Sequence, residues 1–172
     1  MNILMDDIVG LKKIDCIVNA ANGKGKMGAG VAKAIAQAGG EELIEDTIFK
    51  CKLEGGYKAG SSFSANPGNL KFKKVYHAVT MDYPGGLTSL EIVKQATYNT
   101  LENAIKDGMK SIAFPGLGTG IGRLNHLAVL EVMFDIFLSY ENKIEITFID
   151  RNRKIIDDAL IIYEKLKESR KK

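Results

Sequence analysis

Two glycine-rich segments of the sequence contain the residue types that could bind an anion. One covers residues 18–31 and the other residues 113–122, and each leads from a short apolar run into a helical pattern. Because glycine lacks a Cβ, several backbone N–H groups can converge on one anion in such a loop, and the dipole of the following helix adds partial positive charge. Ligands of open α/β sheets bind beyond the carboxyl ends of the strands. The two segments therefore predict one crevice that holds two phosphates.

Neither segment fits the two best-known phosphate motifs. A P-loop ends in Gly-Lys-Ser/Thr, which the first segment lacks. A dinucleotide fingerprint needs Gly or Ala at its sixth position, where the second segment has Ile121 and the first has Lys33. The sequence therefore indicates neither a Walker-type nucleotide hydrolase nor a Rossmann dinucleotide site. The alternative of two tight turns that need glycine at positive φ stays open.

The elements that must position these loops alternate between strands and helices. Short apolar runs rich in β-branched residues predict strands at residues 3–5, 14–19, 61–64, 74–79, 111–115 and 145–150. Longer amphipathic stretches predict helices at residues 29–37, 41–53, 89–106, 124–140 and 152–167. This alternation is typical of an α/β fold. Since no stretch between the elements has the composition of a linker, we expect one domain over residues 1–172.

Composition favours an ordinary globular protein and excludes several other classes. The 172 residues are 45% hydrophobic and 26% charged, and the net charge of +3 is too small to indicate nucleic-acid binding by itself. Cys16 and Cys51 form no CxxC pair and have no clustered histidines, so we expect neither a metal site nor a disulfide framework. No apolar run is long enough for a signal peptide or a membrane span, which predicts a cytoplasmic protein without a membrane partner.

Several stretches of the sequence, taken in order, are similar to the macrodomain family. Residues 7–9 resemble the family's Gly-Asp-Ile-Thr opening, with Asp6 in place of the glycine and Val9 in place of the threonine. Residues 17–22, Ile-Val-Asn-Ala-Ala-Asn, match its hallmark strand, and residues 28–31 and 111–121 resemble its two ligand loops. The resemblance runs from about Asp7 to the final helix. It implies a three-layer α/β/α fold with a mixed central sheet of about six strands flanked by helices.

The same resemblance implies that the ligand is ADP-ribose, bound without a further cofactor or metal. Asp7 would accept a hydrogen bond from the adenine amino group beside the Ile8 backbone, and Ile149 would pack on the base where many members have an aromatic ring. Asn22, next to Ala21, would hold the distal ribose. The remaining contacts implied for the diphosphate and this ribose are Gly28, Ala29, Gly30, Val31, Gly116, Leu117, Gly118, Thr119, Gly120, Ile121 and Gly122.

Within this family the sequence leaves an enzyme and a non-catalytic reader open. Hydrolases with an acidic residue after the first loop have it where this chain has Ala32 and Lys33. Hydrolases with a catalytic lysine and aspartate have the lysine in the region where this chain has Thr80-Met81 and the aspartate where it has Gly122. Removal of ADP-ribose, or of phosphate from ADP-ribose 1″-phosphate, would then depend on Asn22 positioning ribose and water. The alternative is a module that only binds ADP-ribose, free or attached to a protein or nucleic acid. In either case we expect a monomer.

Three candidate residues also have simpler structural interpretations. Asn22 could cap the turn that follows its strand. His77 lies within an apolar strand, which favours a buried core histidine. His126 lies near the start of a helix with no activating residue beside it in sequence. Neither histidine is therefore predicted to act in catalysis.

A third functional interpretation is a nucleic-acid binder. It would use Lys24, Lys26 and Lys33 together with the basic residues 167–172. The three lysines flank the predicted anion loop and need no second role. The C-terminal residues are predicted to be a solvated, frayed helix end. This interpretation is therefore the least favoured.

Overall fold

A mixed sheet of six strands crosses the computed structural model, which describes residues 1–172. The strands are β1 (Asn2–Met5), β2 (Cys16–Asn22), β3 (Ser62–Ala65), β4 (Lys74–Met81), β5 (Ser111–Phe114) and β6 (Glu145–Asp150). They lie in the order β1-β6-β5-β2-β4-β3, and every neighbouring pair is parallel except β3 and β4. The carboxyl ends of the five parallel strands therefore meet at one edge of the sheet.

Five α-helices cover the two faces of this sheet. They are α1 (Gly30–Gly39), α2 (Glu41–Leu53), α3 (Leu90–Lys106), α4 (His126–Tyr140) and α5 (Arg153–Arg170), and a short 3-10 helix lies at Ile8–Gly10. Helices α3 to α5 pack on one face and build the larger core with it, whereas α1 and α2 pack on the other face. The predicted three-layer α/β/α architecture with a mixed central sheet is confirmed.

The alternation of side chains along the central strands explains why both faces are covered. In β2, Cys16 and Val18 point to the α3–α5 side and Ile17 points to the α1–α2 side. In β5, Phe114 points to the first side and Ala113 to the second. All five side chains are fully buried, as expected for parallel strands covered on both faces. This packing fixes the points from which the two glycine-rich loops leave the sheet.

Two strands extend further toward the ligand edge than the sequence predicts. The prediction places β2 at residues 14–19, but the strand continues to Asn22, and β4 continues to Met81. Ala20, Ala21 and Asn22 belong to types that are depleted in strands, but their pairing with β4 keeps them in the sheet. A register shift between Ala21 and Asn22 forms a bulge at the end of β2. Bulges are common beside functional sites, and this one lies directly before the first glycine-rich loop.

The C-terminal helix is longer than predicted. Helix α5 continues to Arg170, whose guanidinium donates to the Asp135 carboxylate of α4 at 2.7 Å and to the Asp135 carbonyl at 2.6 Å. Because this contact holds the last turn, the prediction that residues 167–172 form a frayed end is wrong as far as Arg170. Neither α5 nor any other helix is long and apolar enough to cross a membrane.

The two cysteines are structural. Cys16 and Cys51 are both buried, and neither forms a disulfide. Burial raises the pKa of the Cys16 thiol to about 12. Since the thiolate is the nucleophile, a thiol that stays protonated is inert, and Cys16 is a small core residue.

Candidate ligand-binding cleft

A cleft with a volume of about 690 Å³ lies at the edge of the sheet where the parallel strands end. Its lining comes from the segments that follow β1, β2, β4, β5 and β6, together with the first turn of α1. Every residue predicted to contact a ligand lines this cleft except Leu117. The fold therefore brings together segments that are distant in the chain.

The two ends of the cleft are supplied by different strands. The first, called the β1–β6 end, is formed by Asp6, Asp7, Ile8, Ile149, Asp150 and Arg151. The second, called the β2–β4 end, is formed by Ala20, Ala21, Asn22, Lys26, Thr80, Met81 and Pro84. Three strand spacings of about 4.8 Å separate β6 from β4, so the two ends lie roughly 14 Å apart.

At the β1–β6 end, two carboxylates follow strand β1. The Asp6 carboxylate accepts a hydrogen bond from the Asp7 N–H at 2.7 Å, and the Asp6 N–H donates to the Asp150 carbonyl at 3.2 Å, which fixes this turn against β6. One oxygen of the half-buried Asp7 accepts from the Val9 N–H at 3.2 Å, at the start of the 3-10 helix. The other oxygen has no partner in the protein and can accept a hydrogen bond from a ligand.

An apolar floor lies beside these carboxylates. Ile8 and Ile149 line the cleft, yet only 4% and 2% of their surfaces are exposed. Both belong to the smaller core, so packing holds them in place. The exposed Arg151 belongs to the same end, and its guanidinium forms no hydrogen bond or ion pair within the protein. This end therefore offers an apolar surface, a free acceptor and a free cation to a heterocyclic base.

Asn22 organises the first glycine-rich loop. Its amide nitrogen donates to the Lys26 carbonyl at 2.8 Å, and its amide oxygen accepts from the N–H groups of Lys24 and Lys26 at 3.1 and 3.3 Å. The Gly25 N–H also donates to the Asn22 carbonyl at 3.2 Å. One amide hydrogen of Asn22 is left for a ligand. The turn-capping role and the ligand-binding role are therefore geometrically compatible.

Helix α1 opens into the cleft without a side-chain cap. Ala29 is its N-cap residue and has no oxygen in its side chain to accept from the first backbone N–H groups. Helices α3, α4 and α5 begin at Ser89, Asn125 and Asn152, and each of these side chains accepts such a hydrogen bond. Helix α2 also lacks a side-chain cap, but two glutamates supply negative charge to its first turn. The start of α1 therefore favours an external anion.

Three glycines of the two loops border open space. A Cβ built on Gly28, Gly30 or Gly120 would meet no atom within 4 Å. Gly30 also has a φ of 56°, in the left-handed region that other residues rarely adopt. Since all three glycines line the cleft, a ligand can approach the backbone of both loops closely.

The second loop is closed by its own carbonyl groups. The Gly118 carbonyl accepts from the Leu124 N–H at 3.0 Å, and the Gly120 carbonyl accepts from the Arg123 N–H at 3.1 Å. A Cβ on Gly122 would lie only 2.6 Å from the Gly118 carbonyl oxygen, so the closure requires glycine there. The N–H groups of residues 116–122 have no hydrogen-bond partner in the protein, and the same holds for residues 27–32 of the first loop.

Leu117 is the exception among the predicted contacts. Its side chain is fully buried in the larger core, together with Val93 and Phe114, and does not line the cleft. A contact of Leu117 with the ligand would therefore use its backbone N–H and not its side chain, and this contact stays a prediction. The side chain is buried because an apolar side chain between two glycines gains more by packing than by facing a polar ligand. Leu117 anchors the loop to the core.

The β2–β4 end contains little that could cleave a bond. The buried Thr80 hydroxyl donates to the Ala21 carbonyl at 3.2 Å, so its hydrogen is already engaged. The three carboxylates of the cleft all lie at the β1–β6 end. Lys26 is the single ionisable side chain at the β2–β4 end.

His77 lies in the core and not in the cleft. Its Nε2 is 3.0 Å from the Thr47 hydroxyl and its Nδ1 is 3.1 Å from the Asn19 amide nitrogen. Because the Thr47 hydroxyl donates its hydrogen to the Leu43 carbonyl, the hydroxyl oxygen accepts from Nε2–H, and Nδ1 accepts from Asn19. Complete burial lowers the pKa of His77 to about 3, so the ring is neutral. The prediction of a core histidine is confirmed.

His126 also lies outside the cleft. Its Nε2 is 2.8 Å from the carboxylate of Asp158 on α5, a partner that sequence alone does not reveal. This contact joins α4 to α5, as expected for a structural histidine. No group of three or more His, Cys, Asp or Glu side chains is arranged to hold a metal ion.

The cleft also contains residues that were not among the predicted ligand contacts, although Lys26, Ala32 and Thr80 were already placed beside the predicted site. These additional residues are Asp6, Ala20, Lys26, Ala32, Ala34, Thr80, Met81, Pro84, Pro115, Asp150 and Arg151. Asp6, Pro115 and Asp150 could have been predicted, because each is next in sequence to a predicted ligand contact. Met81 and Pro84 enter the cleft because β4 lies beside β2 in the sheet, and no local pattern marks them.

Comparison with known proteins relates this chain to one family. A family model described as Macro domain matches residues 18–133. An uncharacterized protein of Aquifex aeolicus is 40% identical over 129 residues, which cover 75% of this chain and 76% of that protein. A Macro domain-containing protein of Caldanaerobacter subterraneus is 36% identical over 110 residues, 63% of each chain. An uncharacterized Mycobacterium tuberculosis protein is 39% identical over 110 residues, which span only 29% of its length.

Solved structures share the fold. A point mutant of the Oceanobacillus iheyensis macrodomain with ADPR matches with a TM-score of 0.87 at 22% identity, covering 96% of this chain and 92% of that chain. The Trypanosoma brucei macrodomain in complex with ADP-ribose matches with a TM-score of 0.74 at 22% identity, covering 95% of this chain and 67% of that chain.

Proposed function

Because this chain belongs to the Macro domain family, we propose that its cleft binds ADP-ribose. The adenine lies at the β1–β6 end against Ile8 and Ile149, and its amino group donates to the free oxygen of Asp7. The diphosphate lies between the two glycine-rich loops. The distal ribose reaches the β2–β4 end beside Asn22. The ends of the cleft, roughly 14 Å apart, suit a ligand with a base at one terminus and a sugar at the other.

The observation that carries this proposal is the presence of two rows of unpaired backbone N–H groups on one cleft. Residues 27–32 supply one row and residues 116–122 supply the other. Backbone N–H groups that converge on one cleft form an anion site, so two such rows favour a ligand rich in acceptor oxygens. A hydrogen bond to a charged group contributes about 1.5–3 kcal/mol, which makes a diphosphate a strong occupant. The ligands bound to the Oceanobacillus and Trypanosoma macrodomains support this choice.

Within ADP-ribose binding, the geometry favours a reader over a hydrolase. Glycosidic cleavage needs a positioned water and a base near it. At the β2–β4 end the Thr80 hydroxyl is engaged, the Asn22 amide is largely engaged by its loop, and no carboxylate is present. We therefore propose that the protein binds ADP-ribose, free or attached to a protein or nucleic acid, and releases it unchanged. Its cytoplasmic location and monomeric state stay predictions.

Isothermal titration calorimetry with ADP-ribose tests the binding proposal. The Gly120→Val variant is the sharpest probe, because its Cβ enters open cleft and its backbone is not in the left-handed region. We expect at least about a tenfold loss of affinity in this variant, since the new side chain overlaps the ligand. Gly10→Val is the matched control: Gly10 also borders open space but lies outside the cleft lining. If Gly120→Val and Gly10→Val bind ADP-ribose with equal affinity, the ligand does not bind in this cleft.

A release assay on a mono-ADP-ribosylated protein tests the reader proposal. We expect the chain to release no more ADP-ribose than a buffer control. Release that disappears in Gly120→Val and persists in Gly10→Val would show catalysis in this cleft and overturn the reader proposal. That result would leave the proposal of ADP-ribose binding intact, so the binding proposal and the reader proposal can be refuted independently.

A further inference from the structure

Lys26 carries an unpaired charge at the β2–β4 end of the cleft. Its ammonium forms no hydrogen bond and no ion pair within the protein. Its backbone N–H and carbonyl, in contrast, are both hydrogen-bonded to the Asn22 side chain. The Asn22 amide accepts from the Lys26 N–H and donates to the Lys26 carbonyl. The position of the Lys26 backbone at this end is therefore fixed, and its exposed side chain extends from there.

No other side chain at this end can respond to the charge of a ligand. The Asn22 amide has one free hydrogen, the Thr80 hydroxyl donates to the Ala21 carbonyl, and Met81 and Pro84 are apolar. The charged groups of the β1–β6 end lie roughly 14 Å away, beyond the screening length of about 8 Å at physiological salt. Lys26 is therefore the single ionisable side chain that lines the β2–β4 end, while the neighbouring Asp82 carboxylate lies outside the lining and accepts from the Ala59 N–H at 2.7 Å.

Lys24 has a different environment although it belongs to the same loop. A Cβ built on Gly56 would lie 3.0 Å from the Lys24 Nζ, so this ammonium lies over the α2–β3 connection. Lys24 does not line the cleft. The two lysines thus share charge and exposure but differ in access to a ligand.

We propose that Lys26 makes the β2–β4 end selective for ADP-ribosyl groups that carry a negative charge beside the distal ribose. This inference rests on the proposed function, which places the distal ribose at this end. The charge can belong to a phosphate on the ribose C1″ or to a carboxylate next to the modified residue of an ADP-ribosylated peptide. An exposed ion pair is weak and a phosphate contact is stronger, so the expected preference is about three- to tenfold.

Calorimetric titration of the full chain with ADP-ribose and with ADP-ribose 1″-phosphate tests the phosphate source. We expect the wild-type chain to bind the 1″-phosphate about three- to tenfold more tightly, and Lys26→Met to reduce this ratio to about one. Lys26→Arg, which keeps the charge, and Lys24→Met, which removes a charge outside the cleft, should both retain the wild-type ratio. The preference should also decrease as salt is raised.

A second arm uses two mono-ADP-ribosylated peptides that differ only in acidic or neutral residues beside the modified one. A Lys26-dependent preference in either arm supports the inference and identifies the source of the charge. A wild-type ratio of one in both arms overturns it. So does an equal loss of affinity for ADP-ribose and its 1″-phosphate in Lys26→Met, because Lys26 would then contact the diphosphate. Failure of the wild-type chain to bind ADP-ribose at all would overturn the proposed function itself.

Discussion

A Cβ on Gly28 or Gly30 of the first loop would meet open space, whereas a Cβ on Gly118 or Gly122 of the second loop would meet other atoms within 3.0 Å. The first loop lets a ligand approach its backbone at Gly28 and Gly30, next to helix α1, whereas a Cβ on Gly23 or Gly25, nearer to β2, would also meet other atoms of the protein. The second loop uses glycine mainly to fold back on itself, and Gly120 is its one glycine that borders open space. A glycine-rich pattern therefore does not tell ligand-facing glycines from structural ones. The two kinds of glycine are distinguished by the atoms that surround the position of the missing Cβ.

The largest effect on stability is expected for Gly122→Asp. The new Cβ would lie 2.6 Å from the Gly118 carbonyl oxygen and 2.7 Å from the Thr88 methyl group, so the closed loop would have to open. We expect the free energy of unfolding in urea to fall by about 2 kcal/mol, or the melting temperature by about 4 to 8 °C. Gly120→Val in the same loop should lose less than about 0.5 kcal/mol. Similar losses in both variants would remove the distinction between the two kinds of glycine.

Asn22→Ala is expected to act on both stability and binding. It removes the three hydrogen bonds that shape the first loop, so the N–H groups of residues 27–32 lose their arrangement. We expect affinity for ADP-ribose to fall about tenfold and stability to fall by about 1 kcal/mol. The matched control is Asn66→Ala, because the Asn66 side chain also accepts a backbone N–H in a turn, but outside the cleft. An affinity loss as large in the control would mean that Asn22 acts through general stability alone.

The smallest effect is expected for Asp7→Asn, at the opposite end of the cleft. The substitution keeps the size of the side chain and its acceptor for the Val9 N–H, but a neutral amide is a weaker acceptor for the adenine amino group. We expect affinity for ADP-ribose to fall about threefold. The hypoxanthine analogue of ADP-ribose, which has no amino group, serves as the comparison ligand in calorimetry. An equal change for both ligands would show that Asp7 does not read the base.

The sequence was sufficient for the fold because its periodic patterns are strong and local. Short apolar runs such as Ile112 to Phe114, which is followed by Pro115 and Gly116, favour buried strands, and the helices follow amphipathic patterns. The ends of β2 and β4 were less predictable, because Ala20 and Ala21 stay in the sheet through pairing with a strand that is distant in sequence. The stop of α5 depends on a contact with Asp135 of α4, which no local pattern indicates.

The candidate site was predictable at the two loops and less so between them. The glycines and Asn22 form motifs, whereas Pro84 and Arg151 lie in the cleft because the sheet order brings the ends of β4 and β6 to it. Leu117 shows that membership in a motif does not decide the direction of a side chain, because its side chain packs in the core. Whether an amide hydrogen is paired also depends on the folded loop, so the rows of free N–H groups could not be read from the sequence.

A crystal structure of the chain with ADP-ribose would show directly whether the two rows of N–H groups bind the diphosphate. We expect phosphate oxygens within about 2.7–3.2 Å of N–H groups from both residues 27–32 and residues 116–122, with the adenine against Ile149 and the distal ribose beside Asn22. A nucleotide bound outside the cleft would contradict the account. So would a nucleotide in the cleft whose phosphates leave either row of N–H groups unpaired.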